Sequence, residues 1–341
     1  MLPTGHEFHD LRQSPEKIAE LFARLGLAGK EEIPRVELLT GGVSSNVFRV
    51  ELGSGIYCLK QALPKLKVSK DWRAPVERVF AEIDWLEAAG KIVPANVPKI
   101  MGHDEATKSF VMEFLGGEYQ NWKAELLAGR VDPVLAGKVG NVLGRIHAET
   151  AATPELRRTM ANDDNFYSLR LEPYLVETAR VHPGLADKLH GLVERTRNTK
   201  LAMVHGDVSP KNIMTGPAGP VLLDAECALV GDPAFDLAFC LNHFLLKAVL
   251  MPESSGLLMK SYDALIKEYI PQITFESKSG LESRTASLLP ALTLARVDGK
   301  SPVEYLDGAR QEKVRQAALK LLNSTDLNFQ TIKHFWTRHF K

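Results

Sequence analysis

Two carboxylates and one amide carry the chemistry that this chain advertises. Asp207 and Asn212 lie five positions apart in the run Met203-Val-His-Gly-Asp-Val-Ser-Pro-Lys-Asn-Ile-Met. Asp224 ends the next apolar run, Val221 to Leu223. Between them, Gly216-Pro-Ala-Gly219 reads as the turn of a hairpin. Such a hairpin folds Asp224 back beside the loop that holds Asp207 and Asn212. One base and two oxygen ligands then meet at one spot, which suits deprotonating a hydroxyl and holding Mg2+ on a nucleotide.

The upstream elements must supply the phosphate and base contacts. A strand from Val36 to Leu39 runs into Thr40-Gly41-Gly42-Val43-Ser44-Ser45-Asn46, followed by a strand from Val47 to Leu52. Glycines admit close backbone approach, and two hydroxyls and an amide add donors. This segment is either a turn covering phosphates or an ordinary hairpin. Lys60 interrupts the apolar strand Ile56 to Gln61, where it needs a partner or ligand unless it reaches solvent from the strand end. A helix from Pro75 to about Ala89 presents Val79, Ile83 and Leu86, with Glu82 bordering that stripe and facing Lys60 as its natural cation. Strands at Val97 to Met101 and Ser109 to Phe114 complete a small sheet. Met112, Glu113, Phe114 and Leu115 then run extended into Gly116-Gly117, a hinge whose backbone groups can read an adenine edge.

Composition sets the outer bounds. The chain has 341 residues, 45% of them hydrophobic and 25% charged, enough for a two-lobed globular unit. Lys plus Arg and Asp plus Glu both total 42, which argues against an extended nucleic-acid footprint. Cys58, Cys227 and Cys240 sit in apolar runs without CxxC spacing and read as reduced core residues. The N-terminus lacks a signal-peptide pattern and no apolar run reaches about 18 residues, so the expected location is cytoplasmic.

The remainder is mainly helical. Ser14-Pro15 opens a leading helix with Ile18, Leu21, Phe22 and Leu25, and Asn121 and Asp132-Pro133 open two more. Phe166 to Tyr174 mixes aromatic and charged residues and reads either as packing or as an acceptor wall. Phe235 to Leu250 is strongly apolar and begins beside Asp232 and Asp236. Helices follow at Leu257 to Tyr269, Leu281 to Leu294, Ala309 to Leu322 and Phe329 to His339. The turn Arg296-Val-Asp-Gly-Lys between two of these either touches a ligand or is a surface turn.

Taken in order, the Gly-Gly-x-Ser-x-Asn turn, Lys60, Glu82, the Met112-Glu113 hinge, His205-Gly-Asp with Asn212, Asp224-x-Glu226 and Gly231-Asp-Pro-x-x-Asp236 resemble the aminoglycoside phosphotransferase and choline kinase family. The resemblance covers about residues 35 to 310. It leans toward the methylthioribose kinase branch through Trp122-Lys-x-Glu-Leu-Leu-x-Gly, Asp224-x-Glu226, Asn242-His-x-Leu-Leu and Ala295-Arg296, and departs from that branch in keeping Asn212. It implies an α+β, bilobal protein-kinase-like fold. Residues 1–115 would form an N-lobe with a leading helix, a small five-stranded antiparallel sheet and one helix, and residues 116–341 a large, mainly helical C-lobe.

The resemblance also implies roles. Asp207 becomes the catalytic base, His205 the residue orienting its loop, and Asp236 a brace accepting backbone hydrogen bonds. Asn212, Asp224 and Glu226 become the Mg2+ ligands. Lys60 with Glu82 would contact phosphates, Gly41, Gly42, Ser44, Ser45 and Asn46 would cover them, and Met112, Glu113 and Leu115 would receive the base. Asp232, Arg296 and Tyr174 join Asp207 as acceptor contacts. The expected function is transfer of the γ-phosphate of ATP, or GTP, to a small hydroxylated compound by a monomer or homodimer, with no nucleic-acid or membrane partner. Gly231-Asp-Pro follows Asp224 within seven residues, which leaves no room for a peptide platform. A catalytically silent nucleotide-binding protein of the same fold is the alternative.

Overall fold

Strand parity sorts the N-terminal side chains into two populations, because successive residues of a strand point to opposite faces. A computed structural model describes residues 8–29, 31–40, 44–67 and 73–340. Strands β1 (Arg35–Leu39), β2 (Ser45–Leu52), β3 (Gly55–Ala62), β4 (Ile100–Asp104) and β5 (Ser109–Glu113) form an antiparallel sheet in the order β1-β2-β3-β5-β4. One face carries Phe48, Val50, Leu52, Tyr57, Leu59 and Val111. These pack with Leu11 and with Ile18, Leu21 and Phe22 of the leading helix Pro15–Arg24. Burying each such side chain contributes about 1.5–3 kcal/mol, which holds this short helix on the sheet. The other face carries Cys58, Ala62, Phe110 and Met112, which pack with the helix Arg78–Ile92.

That helix begins three residues after Pro75. The Arg78 guanidinium donates to the carbonyls of Ala74 (3.3 Å) and Pro75 (2.8 Å), which keeps the preceding segment in a turn.

Beyond Glu113 the chain is mostly helical. Side-chain caps start two helices where sequence places them, Asn121 for Trp122–Leu127 and Asp132 for Pro133–Ala151, and Asp232 caps a third, Pro233–Leu250, two residues ahead of the expected start at Phe235. Each satisfies an orphan amide, a contribution of about 1 kcal/mol. Pro233–Leu250 is apolar on nearly every side and is packed by Ser255–Tyr269, Lys278–Asp298 and Gly308–Leu322. Among the described residues it is the one helix long and apolar enough to cross a membrane, and 94% of it is buried inside the protein. Lys278–Asp298 extends past Leu294, so Arg296 sits in its last turn instead of in a loop. The segment Tyr167–Val176 is a widened π-type helix with Pro173 inside it.

Two small antiparallel sheets frame the stretch from Ala202 to Gly231. The first joins β6 (Gln120–Asn121), β8 (Ile213–Gly216) and β9 (Gly219–Leu222), and the second joins β7 (Ala202–Val204) and β10 (Leu229–Gly231). The expected hairpin forms between β8 and β9, with Gly216 opposite Gly219. Cys58, Cys227 and Cys240 are buried free thiols.

Candidate active site

The loop after β7 is held by buried hydrogen bonds. The Asp236 carboxylate, in the first turn of Pro233–Leu250, accepts from the backbone N–H of His205 (2.7 Å) and of Gly206 (2.8 Å). Gly206 has φ +76°, and a Cβ there would lie 2.7 Å from the Cys227 carbonyl oxygen, so glycine is required. His205 Nε2 donates to the Leu223 carbonyl (2.9 Å), while Nδ1 accepts from the Asp207 N–H (3.2 Å). This pattern selects one neutral tautomer. Burial pushes the His205 pKa down, against the pull of Asp236 and Asp207. His205 therefore ties the loop to the segment that carries Asp224, and Trp85 packs edge-on against its ring at 4.9 Å.

The loop that carries Asp207 and Asn212 lies beside the segment that carries Asp224. Asn212 Nδ2 donates to the Asp207 carbonyl (3.0 Å), and the Asn212 carbonyl accepts from Leu223 N–H (2.9 Å). Asp224 follows immediately with φ +66°, an uncommon left-handed position for a residue with a side chain. Lys60 Nζ lies 2.8 and 2.7 Å from the two Glu82 oxygens and also hydrogen-bonds Asp224. Burial opposes the charged ammonium, but Asp224 and Glu82 more than offset it, and the Lys60 pKa lies above its ordinary value. Burial also works to raise Asp224, and Lys60 overcomes it, so this carboxyl lies below the usual range.

Asp207 has two cations that sequence did not single out. Arg170 Nη2, from the π-type segment, lies 2.7 Å from its carboxylate, and the half-exposed Lys211 ammonium lies 3.2 Å away. Burial would raise the Asp207 pKa; Arg170 and then Lys211 reverse this and hold it low. Arg170 also donates to the carbonyls of Gly206 and Leu169, each at 2.7 Å.

Arg78 is the third missed cation. Only 2% exposed, it donates to Glu226 (2.8 Å), Leu63 O (2.9 Å) and Ser44 O (2.5 Å). It precedes Glu82 by four residues on the same helix face, a spacing that offered a signal.

Lys60, Glu82, Arg170, Lys211, Asn212, Asp224 and Glu226 line one cleft of about 730 Å³ between the sheet and the helical part, and Asp207, only 3% exposed, adjoins it through Arg170 and Lys211. Its wall includes Ser44, Ser45, Lys60, Glu82, Met112 to Leu115, Tyr174, Asn212, Asp224 and Glu226. Glu226 reaches it with one oxygen engaged by Arg78. The Glu113 side chain is exposed and accepts from Lys99 N–H at 3.1 Å.

Two expected contacts lie elsewhere. Asn46 is fully buried on the opposite face of β2, where Nδ2 donates to Asp10 (2.9 Å), because it shares the parity of Phe48 and Val50 and not of Ser45. Asp232 caps its helix and pairs with Arg284 at 3.1 Å, away from the cleft. Trp122 and Phe235 are core residues packed on Phe244 and on Phe166 and Phe239. Arg296 reaches the cleft wall indirectly, through hydrogen bonds to the Tyr174 hydroxyl (3.2 Å) and Ser301 O (2.5 Å). Gly41 and Gly42 lie outside the described residues.

An antiparallel N-terminal sheet, one pairing helix and a helical second lobe around this cleft define a bilobal, protein-kinase-like α+β protein. Residues 35–252 match the phosphotransferase enzyme family, and the chain belongs to it. It is similar to a methylthioribose kinase of Erwinia tasmaniensis, with 27% identity over 60% of this chain and 58% of that one. A methylthioribose kinase of Exiguobacterium sibiricum is also 27% identical, over 72% of this chain and 68% of that one. The chain spans about three fifths of the length of the first of these curated relatives. Among solved structures, an amicoumacin kinase in complex with AMP-PNP and Ca2+ superposes with a TM-score of 0.55 at 14% identity, covering 95% of this chain and 100% of that one. That likeness is one of fold.

Proposed function

We propose that this protein is a small-molecule kinase that moves the γ-phosphoryl group of ATP, or GTP, onto a hydroxyl of a small polar metabolite. The observation that carries this reading is the convergence of Asn212, Asp224 and the Lys60–Glu82 pair on one cleft, with Asp207 held beside it against the lining residues Arg170 and Lys211. The family membership and the kinase names of its relatives support it.

Asp207 takes the proton of the acceptor hydroxyl. Its Arg170 and Lys211 partners keep it ionised, so it is a weak base, adequate where the proton leaves late in a loose transition state. Lys60, fixed by Glu82, offers its charge to the nucleotide phosphates. Met112 to Leu115 face the base. Positioning and charge neutralisation are most of what phosphoryl transfer needs.

The donor set fits a hard divalent cation. Asn212 uses its Nδ2 on the Asp207 carbonyl, which orients its oxygen, and Asp224 adds a carboxylate. Mg2+ takes one or two protein ligands and completes its shell with water and phosphate. Asn212 and Asp224 would hold the ion, with Glu226 assisting, and when bound it would neutralise phosphate charge.

β10 begins at Leu229, close behind Asp224, which favours a small acceptor over a peptide. The test is ADP release with Mg-ATP across a panel of alcohols, sugars, amino alcohols and hydroxy acids. Turnover is expected with at least one class, and Asp207→Asn should lower kcat by roughly 10²–10⁴. Firm Mg-ATP binding with no turnover on any acceptor would identify a silent nucleotide-binding protein instead.

A further inference from the structure

A second polar cluster lies behind the cleft wall, on the central helix. Phe239, His243 and Lys247 follow at four-residue spacing and share one face of Pro233–Leu250. Lys247 is fully buried, and its Nζ has no hydrogen-bond partner among the described residues. The ammonium lies 5.1 Å from the centroid of the Tyr305 ring. His243 is 6% exposed with neither ring nitrogen bonded, and the Tyr305 hydroxyl and Arg296 Nε are likewise buried and unpartnered.

The cluster abuts the site. Arg296 stacks over Tyr174 at 5.7 Å and bonds Ser301, and both Tyr174 and Ser301 line the cleft. Tyr174 also packs on Phe239, the residue one turn before His243. The charges around Lys247 are mostly positive: Lys123 and Arg296 act on it, and Glu304, itself paired to Lys123, is the nearby acid, with the Cys240 thiol behind. On the cleft side Lys211 and Arg170 flank Asp207.

Native proteins leave few buried polar groups unmet, and an isolated buried ammonium is especially costly. Here several such groups occur together, and lysine and the arginine Nε can only donate. The complement of convergent donors in a positive field is an anion with several acceptor oxygens. A cationic amine would be repelled, and a neutral sugar would bring no charge to favour the protonated form of Lys247, which burial disfavours.

We infer that the acceptor carries an anionic oxygen group, a carboxylate or a phosphate, at the end remote from its reacting hydroxyl, and that Lys247, Arg296, His243 and Tyr305 receive it. This rests on the kinase reading above and narrows its acceptor class.

The experiment measures ADP release by the wild-type protein with matched acceptors: hydroxy carboxylates against their amides, sugar phosphates against their parent sugars, methylthioribose, and amino alcohols. The anionic member of a pair should have a kcat/KM at least about tenfold higher than its neutral counterpart, and the two anionic arms distinguish carboxylate from phosphate. Lys247→Met, a change that removes the charge and keeps the volume, should raise KM for the best anionic acceptor about tenfold or more, with a smaller effect on kcat. Preference for neutral or cationic acceptors, or a KM within about twofold of wild type in Lys247→Met, would overturn the inference. If nothing is turned over, the kinase reading fails separately. The cluster is then tested by thermal shift with hydroxy carboxylates and inorganic phosphate: stabilisation of the wild type but not of Lys247→Met supports it, and no stabilisation of the wild type refutes it.

Discussion

Arg170→Met isolates what the buried arginine does for Asp207. The substitution removes the 2.7 Å contact to the carboxylate and two donors, those to the Gly206 and Leu169 carbonyls. Breaking a buried ion pair from one side costs about 3–5 kcal/mol, because a charge is left behind. Lys211 remains 3.2 Å from the same carboxylate, although half exposed, and compensates in part. The expected loss is therefore near the lower end, about 3 kcal/mol at pH 7, measured by urea unfolding. The pH dependence has a definite sign. Asp207 is held below its ordinary pKa in the folded protein, so it contributes stability above the unfolded carboxylate value of about 4, and that contribution is lost as pH falls through the folded value. In the variant this contribution shrinks, so the gap between the two proteins narrows on acidification. In the kinase assay the acidic limb of kcat/KM should move to higher pH, since the base protonates more readily. Arg170→Lys should recover part of the limb position and little of the stability, because an ammonium cannot serve the carboxylate and both carbonyls in the guanidinium's geometry. An unmoved acidic limb together with full stability in Arg170→Met would refute this account of the site.

Asp224→Ala should abolish Mg2+-dependent nucleotide binding in calorimetry; unchanged Mg-ATP affinity would remove Asp224 from the metal site. Gly206→Ala should cost at least about 2 kcal/mol in chemical unfolding and depress activity with it, since both the left-handed backbone and the 2.7 Å approach to Cys227 O exclude a Cβ. Burial pushes the Lys247 pKa down to about 7, so this lysine gives up its proton on folding at higher pH. The stability of wild type relative to Lys247→Met should accordingly rise by about 1.4 kcal/mol per pH unit between roughly pH 7 and 10 in the ligand-free protein. A difference independent of pH would mean that Lys247 stays charged in its niche.

Local periodicity made the cleft's main line legible. Lys60 and Glu82 meet because a strand residue on the inner face and a helix residue beside the apolar stripe have few other places to point. The β8–β9 hairpin was readable from Gly216 and Gly219, and it puts Asp224 where Asn212 is. The same parity rule excludes Asn46, whose neighbours in sequence suggested a phosphate contact although its side chain shares the face of Phe48. Asp232 precedes a proline at a helix start, as Asp132 does, and caps in the same way. Arg170, Arg78 and Lys247 were harder. Their partners, or the lack of them, depend on elements far apart in the chain, and a π-type segment interrupted by Pro173 has no simple periodicity to reveal which side chain turns inward.

The Asp236 carboxylate has a dynamic consequence. It sits on a helix buried along almost its whole length, yet its two oxygens hold the amides of the loop that carries Asp207. That loop has no independent way to fray: releasing His205 and Gly206 requires pulling a buried carboxylate out of the core. In native-state hydrogen exchange those two amides should belong to the slowest class and open only with the whole protein, unlike the low-stability segments from which most functional loops are drawn. Heat inactivation and global unfolding should then coincide, with no intermediate that is folded but has released the loop that carries Asp207.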